Sequence, residues 1–214
     1  VEPGEPMRYV WFPQSGLLSI VNDMAEGKTT IEVGVVGREG MVGLPVFHGY
    51  RTQPFRVLVQ VAGEATRIPA DEFDAVISRA PSLKRILHTF ALALMNQAWH
   101  QVACNRLHTL EQRCAKWLLT THDQMDFAEL PLTQEFLAVM LGVRRPGVTV
   151  AAQSLQDAGL IKYRRGRISI TDRTGLENIA CECYGRIRED YELLLGEFMI
   201  PPAVGAERDG LHIA

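Results

Sequence analysis

Five arginines and a few small or polar side chains, gathered between residues 144 and 167, carry the most legible chemistry of this chain. Arginine holds a planar fork of donors that can engage both major-groove acceptors of guanine, at roughly 1–3 kcal/mol of discrimination. Arg145 is the residue expected to read a base in this way. Gln153 has the donor and acceptor that match adenine, and the Thr149 methyl or Val150 suits a thymine methyl. Arg144 shares that face, and Arg164, Arg165 and Arg167 are expected to hold backbone phosphates. Between residues 144 and 173 there are seven basic and two acidic side chains, a local balance of +5 in a chain whose net charge is −3. A basic face on an acidic body is the electrostatic footprint of a nucleic-acid-binding module.

Such side chains need a rigid element to present them, and residues 133–155 read as a helix-turn-helix. Thr133 is a ready N-cap, with Glu135 in the favourable first turn. Ala138 allows two helices to cross closely, and Gly142 suits a tight turn because it adopts positive φ without steric cost. Val148, Ala151 and Leu155 then face the core with Leu137 and Leu141. The second helix is predicted over 144–157, where Pro146 is tolerable only in the first turn. A unit of this kind places its second helix in the major groove. Ile161, Tyr163, Ile168 and Ile170 flank the arginine-rich turn as a β-hairpin, a wing. A final amphipathic helix is predicted over 174–198, followed by a mobile tail over 201–214.

The N-terminal third reads as β. Runs rich in β-branched and aromatic residues at 9–12, 17–21, 29–36, 56–61 and 64–68 are separated by Gly- and Pro-containing breakers. A short helix over 70–78 leads to a long one over 82–105. On that helix Leu83, Leu87, Phe90, Leu94, Gln97 and Gln101 recur at heptad spacing and are expected to form a dimer seam. A second apolar stripe, Ile86, Leu92, Met95, Trp99 and Val102, faces another surface. Thr109 and Gln112 have the spacing of a capping box for a helix to about residue 122, and residues 123–131 read as a loop. The fold class is α+β: an antiparallel, jelly-roll-like β-roll over 1–80, a dimerisation helix over 81–106, and a winged helix-turn-helix over 107–200.

Other chemistries find less support. Cys104, Cys114, Cys181 and Cys183 lack a paired metal-ligand spacing, and Cys181 and Cys183 would point apart on one helix. They are expected to be reduced thiols in the cytoplasm, with no metal. No nucleophile elbow or phosphate loop is present, so enzymatic activity is not expected. No apolar run is long enough to span a bilayer. The chain begins Val1-Glu2 without an initiator Met, which leads us to expect a processed or trimmed start.

The segments LTQEFLA (132–138), LGVRRP (141–146) and GLIKYRRGRI (159–168) resemble the DNA-binding half of the CRP/FNR family of bacterial transcription regulators. VGREGMVGL (36–44) resembles the strand-turn region of that family's effector domain. The resemblance covers nearly the whole chain. It implies a homodimer joined through the long helix, a two-fold-symmetric double-stranded DNA operator, and contact with RNA polymerase. It also shows departures. Members that bind cyclic AMP carry glutamate after the glycine equivalent to Gly43, and an arginine near Gln53-Pro54; here Leu44 follows Gly43, and Arg51 and Arg56 are out of register. Ala98 and Trp99 replace the small hydroxyl residues that reach the adenine. An unpaired ligand phosphate would be costly to desolvate, so no cyclic AMP binding and no cofactor are expected. His48 is a lone candidate haem ligand, and the N-terminal cysteine cluster of the iron–sulfur members is missing from these residues. The sensor domain is then either degenerate or tuned to an unidentified effector; the alternative function is a signalling module whose main activity is capture of that small ligand.

Overall fold

The computed structural model describes residues 1–24, 29–125 and 129–196; the tail expected over 201–214 and the end of the last predicted helix lie outside them. The five expected strands all form. β1 (Tyr9–Pro13) pairs antiparallel with β5 (Ala65–Pro69), and β2 (Leu17–Met24) lies between β3 (Thr29–Val36) and β4 (Arg56–Val61), also antiparallel. Alternation along β2 sends Leu17, Ser19 and Val21 inward. A one-turn helix, α1 (Leu44–Phe47), forms between β3 and β4, with Pro45 in its first turn. It was not anticipated, because four residues are too few to show periodicity.

α2 (Ala70–Arg79) leads into the 27-residue α3 (Pro81–Leu107), which is entered through Pro81. A helix start tolerates proline because its first N–H has no partner in any case. Here one expectation is corrected. The side of α3 that carries Leu83, Leu87, Phe90, Leu94, Gln97 and Gln101 faces its own protomer, with Leu87 and Phe90 buried and Leu83 and Leu94 packed against the same core. The Gln97 side chain accepts from the Val35 backbone N–H and donates to the Tyr191 hydroxyl, and Gln101 accepts from the Lys116 ammonium. Gly40 lies so close beneath Phe90 that a Cβ there would come within 2.2 Å of the ring. Burying a phenylalanine in this way contributes about 1.5–3 kcal/mol, so the heptad pattern is spent on the fold of one chain. Of the second stripe, Ile86 also packs against that core, and Leu92, Met95, Trp99 and Val102 remain outside, 41%, 43%, 61% and 71% exposed.

The C-terminal half begins with α4 (Leu110–Asp123), whose start is the expected capping box: Thr109 accepts from the Gln112 N–H, and the Gln112 side chain accepts from the Thr109 N–H. β6 (Glu129–Leu130) replaces part of the expected loop. α5 (Gln134–Leu141), α6 (Arg145–Asp157), β7 (Ile161–Arg164) and β8 (Arg167–Ile170) follow, with β6 and β7 flanking β8 in one sheet. The single helix expected over 174–198 is instead two, α7 (Arg173–Ile179) and α8 (Cys183–Leu195). Ala180 is extended at their junction (ψ 147°), which swings α8 back onto α3 and buries Tyr191 and Leu195 there.

One apolar core joins the halves: Leu17, Val21, Val35 and Val61 of the β-roll pack with Leu118, Leu137, Val148 and Leu155.

Candidate nucleic-acid interface

The helix-turn-helix is built as its sequence suggests. The Thr133 hydroxyl accepts from the Phe136 N–H at 3.1 Å, and Gly142 takes the left-handed conformation (φ 64°) between α5 and α6. The buried Arg113 guanidinium donates to the Leu141 carbonyl, satisfying an acceptor that the end of a helix leaves open. Val148, Ala151, Ala152 and Leu155 turn α6 inward. The opposite face then presents Arg144, Arg145, Thr149, Val150 and Gln153, all exposed, with Val150 at 71%. The Thr149 hydroxyl donates to Gln134 Oε1 at 2.8 Å, which ties the two helices together, and Gln153 Nε2 donates to Asp157 at 2.7 Å.

In the wing, Arg164 pairs with Arg167 as the last rung of the β7–β8 ladder. Arg165 and Gly166 form the two-residue turn, with φ of 51° and 75°, the positive pair that a tight hairpin of matching twist requires. Arg167 meets Glu129 at 3.3 Å, a contact shared between exposed side chains. Among the described residues, no carboxylate lies within ion-pair distance of Arg144, Arg145, Arg164 or Arg165. The expected residues are therefore all exposed, on α6 and on the wing that follows it in the chain.

Sequence reasoning missed the junction behind that surface. Trp117 of α4 donates its indole N–H to Glu32 of β3 at 2.8 Å; the Ser19 hydroxyl donates to the same carboxylate at 2.7 Å, and Gln60 Nε2 donates to the Thr121 hydroxyl at 2.9 Å. Burial pushes the Glu32 carboxyl up to about 7, against the pull of the Ser19 and Trp117 donors and of Lys116. Gly142 faces Ile31, and a Cβ at that position would sit 2.6 Å from the Ile31 side chain. The turn of the helix-turn-helix thus rests on β3. Strand alternation flags Glu32 as lying on one face of β3, but nothing local announces a partner 85 residues away.

A second grouping was also missed. Cys181 and Cys183 do not sit apart on one helix, because Cys181 precedes α8 at the break. They converge on Cys104 and His108 at the end of α3. The Cys104 and Cys181 sulfurs are 3.5 Å apart. Cys114 lies elsewhere, fully buried in the core shared by the two halves, and burial raises its thiol to about 12.

At the effector-type region, Leu44 follows the left-handed Gly43. The buried Gln53 side chain donates to the Phe55 carbonyl. Arg51 pairs with Asp71 at 3.2 Å and Arg56 with Asp23 at 2.8 Å. His48 stands edge-on to Phe47, with its ring 6.4 Å from that of His88.

Comparison with known proteins gives two family matches: a Crp-like helix-turn-helix domain over residues 112–179 and a cyclic nucleotide-binding domain over residues 1–80. Among solved structures, the chain is similar to FixK2 from Bradyrhizobium japonicum (15% identity, TM-score 0.70, covering 84% of this chain and 90% of that one). It is similar to a CRP/FNR-family transcriptional regulator from Thermus thermophilus (21% identity, TM-score 0.68, 83% and 90% covered). It is also similar to the c-di-GMP-responsive global regulator CLP from Xanthomonas campestris (16% identity, TM-score 0.64, 79% and 87% covered). At these identities the likeness establishes the fold. No curated protein matches the chain. No described helix is long and apolar enough to cross a membrane.

Proposed function

We propose that this chain is a transcriptional regulator of the CRP/FNR family and acts as a homodimer on a two-fold-symmetric, sequence-specific DNA operator. The regulator carries a Crp-like helix-turn-helix. The observation that carries the finer reading is the set of exposed arginines on α6 and the wing tip without carboxylate partners among the described residues. Arg145 and Gln153 are the base-reading residues, Thr149 and Val150 supply methyl contacts, and Arg144, Arg164, Arg165 and Arg167 hold phosphates. The dimer forms along Leu92, Met95, Trp99 and Val102, spaced three, four and three residues apart on one exposed side of α3. From the operator the dimer contacts RNA polymerase. Selection of bound fragments from a random duplex pool tests this: the enriched sequences should be palindromic, with half-sites about 34–36 Å apart. Failure to enrich any sequence overturns it.

The β-roll acts in this reading without cyclic AMP. A cyclic phosphate needs an available cation, and the two nearby arginines are already paired with Asp71 and Asp23. Leaving that phosphate desolvated and unpaired is costly. Calorimetric titration with cyclic AMP should give no binding heat; saturable binding would overturn this part of the reading.

A further inference from the structure

We propose that Cys104, His108, Cys181 and Cys183 form a four-coordinate zinc-type metal site that fastens the end of α3 to the segment closing the winged unit. Cys104 and His108 are one helical turn apart, so both project from the same side where α3 ends. Cys181 and Cys183 come from the break between α7 and α8. The four donor atoms all lie within 4.8 Å of one another. In a tetrahedron with Zn–S of about 2.3 Å and Zn–N of about 2.0–2.1 Å, two sulfurs are about 3.8 Å apart and a sulfur and a nitrogen about 3.6 Å apart. The Cys104–Cys181 separation is 3.5 Å and that from Cys183 Sγ to His108 Nδ1 is 3.7 Å. Three thiols and one imidazole are a recognised structural zinc set.

The surroundings fit a metal better than they fit packed thiols. His108 turns Nδ1 toward the sulfurs, and its Nε2 lies 3.0 Å from Glu182 Oε2. A proton on Nε2 shared with that carboxylate leaves the Nδ1 lone pair for the metal, the usual outer support of a histidine ligand. Glu182 lies between the two cysteines in sequence, so one tripeptide supplies two ligands and the carboxylate behind a third. Three thiolates and a divalent ion leave one net negative charge. The buried Lys116 ammonium acts electrostatically on all three sulfurs and balances it. An iron–sulfur cluster spreads its ligands around several metal atoms and fits these short separations less well. The metal would bind at the point where the long helix passes, through Thr109, into the helices that carry the DNA-reading face. That regulatory consequence rests on the function proposed above; the metal site itself does not.

Elemental analysis of the purified full chain should find one zinc per chain. Cys104→Ser, Cys181→Ser and Cys183→Ser should each lose it, and Cys114→Ala should keep it. Glu182→Gln should weaken zinc affinity by about 10–100-fold while leaving the ligands in place. Should the serine variants fail to fold, cobalt(II) exchanged into the unaltered protein should show thiolate charge-transfer absorption with tetrahedral visible bands. Substoichiometric metal with no such cobalt spectrum overturns the site. So does iron with acid-labile sulfide, or a Cys104–Cys181 disulfide in non-reducing peptide mapping. Removing the zinc should abolish operator binding; unchanged affinity overturns the fastening role. A zinc-loaded protein that selects no DNA sequence supports the site and overturns the function proposed above.

Discussion

Arg51, Arg56 and Arg67 of the β-roll and the arginines at the start of α6 and at the wing tip are used in opposite ways. In the β-roll, Arg51 meets Asp71 and Asp74, Arg56 meets Asp23, and Arg67 lies over the Tyr9 ring with its charge 4.4 Å from the centroid. On α6 and at the wing tip, Arg144, Arg145, Arg164 and Arg165 stand exposed without carboxylate partners among the described residues. A guanidinium that meets a carboxylate has its charge compensated within the chain, and an exposed one without such a partner keeps its donors for an anion arriving from outside. Arg51 and Arg56 of the β-roll thus have their charge met within the chain, whereas Arg144, Arg145, Arg164 and Arg165 keep theirs for an anion from outside, the phosphate and guanine of the function proposed above.

The comparison can be broken most severely through α3. Trp99→Glu with Met95→Glu should convert the dimer to monomers by light scattering and abolish operator binding, since a single half-site sacrifices the paired geometry. These positions are exposed, so the variant should keep its folded circular dichroism. A dimer that persists would move the interface elsewhere. Next comes Arg145→Ala, expected to weaken binding to the selected operator by about 1–3 kcal/mol and to relax preference at one base position. Arg51→Ala, in the β-roll, should leave operator affinity unchanged when both variants are titrated by fluorescence anisotropy; an equal loss at both positions would erase the contrast. Smaller still, Arg165→Ala should weaken all sequences alike and reduce the salt dependence of binding by about one unit of slope, as expected for a phosphate contact.

The legible parts were those that local chemistry dictates. Thr133, Gly142 and Val148 mark the helix-turn-helix through a cap, a positive φ and a buried position, all within 16 residues. Five strands followed from β-branched runs and their breakers. What escaped depends on long-range packing. The heptad on α3 announces that Leu87 and Phe90 need a partner but not whether it is a second chain or the same chain's β-roll, and the structure chooses the latter. The grouping of Cys104 with Cys181 joins positions 77 apart and depends on the break at Ala180, where no glycine or proline signals a stop. Glu32 lies within the third β-branched run, and nothing near it in sequence signals Trp117, the partner that its carboxylate accepts from.

That junction supports the gentlest test, because it asks whether the contrasting halves are held as one body. Burial raises the Glu32 carboxyl from its ordinary value to about 7, outweighing the Ser19 and Trp117 hydrogen bonds and the Lys116 charge. A carboxyl with a higher pKa in the folded than in the unfolded chain binds its proton more tightly when folded. Its contribution to stability is therefore complete below the ordinary carboxyl range and is lost as the pH rises through about 7. Glu32→Gln keeps an oxygen to accept the indole N–H and removes the titration. Between about pH 5 and pH 8 the melting temperature of the unaltered protein should fall by a few degrees relative to the variant. Parallel curves across that window would mean that Glu32 does not titrate there, and that the contact between β3 and α4 holds the DNA-reading half in place independently of its charge.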